Sequence, residues 1–156
     1  MVRTNLATVH SLSEGEDSSA ITFPRFERSF EAVSDYQWQK PVMTRICELL
    51  QLRENWDSYH APALERDLGM FAIQLLNQIM VPGIKAPQIV PTSEGKLQIE
   101  WHTGGCDLEI EINGIYDIDM WFQNHRQQEE GYFVALDSDY TQISDAVRTI
   151  IRQINR

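Results

Sequence analysis

The chain has 156 residues, 23 Asp and Glu against 13 Lys and Arg, and a formal charge of −10, so it repels phosphate backbones and direct nucleic-acid binding is not expected. Its 42% hydrophobic and 23% charged residues make a globular balance, and no apolar run reaches the ~18 residues of a membrane span. Cys47 and Cys106 lie outside any CxxC pattern, and no signal-peptide core opens the chain, which points to a reduced, cytoplasmic protein.

Residues 1–35 read as a flexible arm. Ser11–Ser19 is small, polar and acidic, with nothing to bury. Phe23-Pro24-Arg25-Phe26-Glu27-Arg28-Ser29-Phe30 interleaves aromatics with arginines; it is either a docking motif or a segment laid on the domain's own surface. Residues 36–156 then read as a single α+β domain, expected to hold an antiparallel sheet of about four strands with helices on one face.

Pro41 suits a helix start, and Val42, Ile46, Leu49 and Leu50 follow at helical spacing. A second helix is expected from near Pro62, because Leu64, Leu68, Phe71, Leu75 and Ile79 form one stripe that Pro82-Gly83 ends. Between them lies Asn55-Trp56-Asp57-Ser58-Tyr59-His60, read as a connector whose polar side chains fold back onto local amides. Trp56 and Tyr59 are its expected anchors, and Asp57 with His60 is the functional alternative. Pro87–Pro91 marks a short edge strand with prolines at its ends.

Residues 96–103 and 106–112 alternate on either side of Gly104-Gly105, which predicts a two-residue hairpin. The expected pairs are Trp101–Leu108, Ile99–Ile110 and Leu97–Ile112 on one face, with His102–Asp107, Glu100–Glu109 and Gln98–Glu111 on the other. For the next strand, 115–123, an Asn113-Gly114-Ile115 loop keeps Asp117 and Asp119 out of the core. It pairs Ile112 with Tyr116, Ile110 with Ile118, and Leu108 with Met120. The outer face then carries the rows Glu100–Glu109–Asp119 and Glu111–Asp117. Tyr132–Leu136 reads as a further strand, and Asp137-Ser138-Asp139 caps a last helix. That helix places Ile143, Val147, Ile150, Ile151 and Ile154 opposite Arg148, Arg152 and Gln153.

Leu52–Pro62, Pro87–Thr92, Gly95–His102 and Asp107–Ile112 together resemble a group of small bacterial proteins with the pattern "NWDGYGA-P … P-I-PT-DG-IQLEW … DLEIEI". The likeness covers about residues 45–112. It implies a bacterial or phage origin and transfers no catalytic residue. Where the group often has Gly-Tyr-Gly, this chain has Ser58-Tyr59-His60, so a different local turn geometry is expected.

No phosphate-cradling glycine run, nucleophile elbow or HExxH pattern is present, and no enzyme activity or cofactor is expected. Cys106 reads as a small apolar residue at a strand start. The acidic face is the feature that asks for a reason, since Glu94–Asp119 holds seven acids and one base. The reading drawn from it is a non-enzymatic interaction module that binds a basic protein through Glu100, Asp107, Glu109, Glu111, Asp117 and Asp119. An antitoxin, an immunity protein or a phage-type inhibitor of a nucleic-acid-binding protein has this character. The alternatives are a metal-dependent enzyme using Glu100, His102, Asp107 and Glu109, a self-associating homodimer, and a plain solvated face partly covered by Arg25, Arg28 or Arg126.

Overall fold

A computed structural model describes residues 37–127 and 130–156; the expected arm over 1–35 lies outside them. Chain order is α1 (Gln39–Leu49), α2 (Arg66–Ile79), β1 (Gln88–Pro91), β2 (Leu97–Thr103), β3 (Cys106–Gly114), β4 (Asp117–Asn124), β5 (Tyr132–Leu136) and α3 (Thr141–Ile154). The strands form one antiparallel meander in the order β1-β2-β3-β4-β5. The proline-flanked segment, β1, thus adds an edge strand to the expected four, and the fold is α+β.

Alternation builds the two faces. Ile89, Leu97, Ile99, Trp101, Leu108, Ile110, Ile112, Ile118, Met120 and Phe122 are all buried on one side. The helices meet them there with Val42, Ile46 and Leu49 of α1, Leu68, Phe71, Leu75, Leu76 and Ile79 of α2, and Ile143, Val147 and Ile150 of α3. Gly69 lets α1 and α2 close: a side chain there would stand 3.1 Å from Ile46. Truncating any of the fully buried leucines of this layer should cost about 2–5 kcal/mol.

Three expectations about the helices are corrected. α2 begins at Arg66, later than Pro62. Pro62 packs on the Thr92–Lys96 turn, where a Cβ on Gly95 would come within 2.7 Å of its ring, and Leu64 reaches the core from extended chain. Gln153 of α3 is buried, not exposed beside Arg148 and Arg152, because the Gly104-Gly105 hairpin tip packs under the end of α3. Ile154, expected in the apolar stripe, is 39% exposed. At the other end of α3, the Asp139 carboxylate accepts from the Thr141 amide at 3.0 Å and from its hydroxyl, while the N-cap position itself falls on Tyr140, one residue past the predicted Asp137-Ser138-Asp139, and makes no side-chain cap bond.

The β2–β3 register is the expected one at every pair, and both glycines of its turn have positive φ (67° and 75°). The β3–β4 register is not. Ile112 faces Ile118, Ile110 faces Met120 and Leu108 faces Phe122, two residues away from the expected pairing. The turn tip is Ile115-Tyr116, with Tyr116 at φ 60°, and a bulge between Ile112 and Gly114 takes up Asn113. A slip of two residues keeps each side chain on its face, so alternation cannot detect it. The shift seats Phe122 opposite Leu108 in the core, and Tyr116 stacks edge-on against Phe71, centroids 5.6 Å apart.

Candidate functional site

The strand pairings lay out the second face row by row. One row runs Gln88–Glu100–Glu109–Trp121–Phe133, and the next Val90–Gln98–Glu111–Asp119–Ala135. A third runs His102–Asp107–Gln123. The corrected register therefore changes the expected acid rows. Glu109 faces Trp121 rather than Asp119, Glu111 faces Asp119 rather than Asp117, and Asp117 pairs with Gly114 at the exposed hairpin end. Glu100, Glu109, Glu111 and Asp119 share the half-buried middle of the face, Asp107 stands half-buried at its Gly104-Gly105 end, and Asp117 sits at its rim.

Two like-charge pairs remain directly opposed, Glu100–Glu109 and Glu111–Asp119. Each opposes folding by about 0.2–1 kcal/mol. Neutral amides relieve part of this: Gln98 donates to Glu109 at 3.3 Å, and Asn113, freed by the bulge, donates to Asp119 at 2.8 Å. Lys96 bonds Asn113 at 2.9 Å and Glu94 at 3.0 Å, which holds its charge at one corner. Arg126, one of three arginines weighed as a partial cover, does not lie over the face; it lies along Gly105 and donates to the Gln153 carbonyl at 3.3 Å. Arg25 and Arg28 lie outside the described residues.

At the other corner, Asp107 is bracketed by two imidazoles. His102 Nδ1 lies 2.9 Å from its Oδ1, and His125 Nε2 bonds its Oδ2. Glu100 approaches His102 Nε2 at 3.4 Å. The His125 bond and then the His102 bond lower the Asp107 pKa below its usual 3.8; the Asp107 bond, reinforced by Glu100, raises that of His102 above 6.5. His125 was not foreseen. It enters because its amide donates to the Gly105 carbonyl at 3.0 Å and the true register sets it diagonally beside Asp107. Of the four residues weighed as the metal alternative, Glu109 turns to Gln98, and among the described residues no three His, Cys, Asp or Glu are grouped to hold an ion.

Next to the acids the face becomes aromatic. Trp121 is half-buried and pairs with Phe133, which is 64% exposed. Gly131 lies flat on the indole, where a Cβ would come within 2.7 Å of the ring. The sequence reading assigned these residues to strands and missed them as surface features; alternation already turns Trp121 outward with Asp117 and Asp119, and only its place beside Glu109 depends on the β3–β4 register.

The Asn55–Ala61 segment is the connector the sequence predicts. Asp57 accepts from the Tyr59 and Ala61 amides at 2.8 and 3.0 Å, and Asn55 accepts from the His60 amide at 2.9 Å. The Ala61 bond and then the Tyr59 bond hold the Asp57 carboxyl below its usual range. Tyr59 does not anchor it, being 85% exposed, whereas Trp56 is half-buried. Asn55, Ser58 and His60 take φ of 63°, 66° and 71°, so two of the strained positions are those where the resembling pattern carries glycine. Cys106 is buried, and burial pushes its thiol pKa up, as suits an inert core residue.

No family model matches the chain, and no curated protein or solved structure matches it. Among the described residues no helix is long and apolar enough to cross a membrane.

Proposed function

We propose that this protein is a non-enzymatic interaction module whose acidic sheet face docks a basic protein surface. The observation that carries the reading is the opposition of Glu100 to Glu109 and of Glu111 to Asp119 in the middle of the face, with its lysine held at the corner. A fold that keeps repelling carboxylates in register gives up stability that a partner's lysines and arginines would return. Asp107 extends the docking surface toward the Gly104-Gly105 turn, Asp117 contributes at the rim, and Trp121 with Phe133 adds an apolar anchor site beside the charge. A bacterial or phage protein that blocks a nucleic-acid-binding surface, whether antitoxin, immunity protein or inhibitor, would use such a face in the cytoplasm.

The test compares wild type with the Glu100→Lys/Glu109→Lys double variant as bait in source-cell lysate, at low and high salt. A basic protein held by wild type alone and released by salt supports the reading, and its identity names the process. Equal retention by both baits, with the variant folded by circular dichroism, refutes it.

A further inference from the structure

We propose that the free edge of β5 is a self-association surface on which a second copy of the chain adds its own β5, antiparallel, continuing the sheet across a two-fold axis. The two edges of this sheet are treated differently. β1 is four residues long, bracketed by Pro87 and Pro91, and its Ile89 carbonyl is taken by Arg45 Nε at 3.0 Å; it is a blocked edge. β5 reads Tyr-Phe-Val-Ala-Leu, with no charge and no proline. Among the described residues no turn or side chain outside the sheet hydrogen-bonds to its backbone. Tyr132 and Phe133 are 44% and 64% exposed, and Ala135 is exposed as well. A bare apolar edge is a pairing template unless something covers it.

The occupant follows from the residues. With the axis through Val134, Val134 meets the partner's Val134, Phe133 meets the partner's Ala135, and Tyr132 meets the partner's Leu136. Large side chains meet smaller ones on both faces, and no charge is set against a like charge within the five-residue strand. The core-side pairs extend the contact that Phe122 makes with Tyr132, whose ring centroids are 5.8 Å apart. On the other face the pairing would set two acidic surfaces side by side in one continuous sheet.

Salt separates this inference from the docking reading. Each copy carries −10, so repulsion opposes pairing through β5, and salt strengthens it, whereas salt weakens capture of a basic partner. The experiment is sedimentation equilibrium of the full chain over a wide concentration range at low and high salt, for wild type, Ala135→Lys and Phe133→Lys. Ala135 faces Asp119 within its own sheet, so Ala135→Lys places a lysine beside a carboxylate and leaves the fold intact, which thermal melting verifies. The expected result is a wild-type mass that rises toward the dimer, more readily at high salt, with both variants at least about tenfold weaker. A monomer at every condition overturns the proposal, and so does a dimer that both variants leave unchanged.

Discussion

Ser58 and His60 hold φ values of 66° and 71° without being glycines, because the amides around them are tied to the side chains of Asn55 and Asp57. Left-handed backbone costs a residue with a Cβ about 1 kcal/mol. Ser58→Gly and His60→Gly should therefore each raise stability by about 0.5–1 kcal/mol in urea unfolding, less whatever a freer unfolded chain takes back. Loss of stability in both would mean that the strain is absent. Both positions adopt the conformation glycine favours, and the hydrogen bonds impose it.

The Asp107 corner makes a pH prediction at the same scale. His102, raised above 6.5, adds stability that is fully present below that value and is lost as pH rises through its folded pKa. Asp107, lowered below 3.8, adds stability that is present above that value and is lost as pH falls through its folded pKa. Their joint contribution is therefore greatest between these two ordinary values. It is small, because the His102 side chain is 44% exposed. Between about pH 5.5 and about pH 8.5 wild type should lose more melting temperature than His102→Gln does; equal losses would remove His102 from the account.

At the scale of elements, the β4–β5 connection depends on Gly131 lying flat on Trp121. A methyl group there must displace the indole or the strand, so Gly131→Ala should cost about 1–3 kcal/mol and shift Trp121 fluorescence. An unchanged spectrum and melt would mean that the Gly131–indole contact carries no such constraint. The two hairpins show what patterning can and cannot decide. Gly104-Gly105 demands positive φ at adjacent positions, and that local requirement settles the β2–β3 register. The Ile112–Asp117 connection has no such demand written in its residues. Asn113-Gly114 looks like the turn, yet the tip moves to Ile115-Tyr116, which sets Phe122 opposite Leu108 and Tyr116 on Phe71, a shift that alternation leaves unmarked.

Across the whole molecule, stability and docking are set against each other. Glu111→Gln removes one side of the Glu111–Asp119 opposition and should stabilise the isolated protein by about 0.2–1 kcal/mol at low salt, less at high salt. The same change should weaken retention of a basic partner. A variant that is both more stable and equally retentive would mean that the carboxylates serve solubility alone.

Residue types and their spacing determined which side chains face the core and which face water, because burial acts on each strand and helix locally. They also determined that the acids share one face of one sheet. Tertiary structure alone decided which acid stands opposite which, that Trp121 and Phe133 continue the Glu100–Glu109 row, and that His125 joins Asp107. Those relations depend on a two-residue step in strand register, and that step is set by packing between elements distant in sequence, to which the period of a single strand is blind.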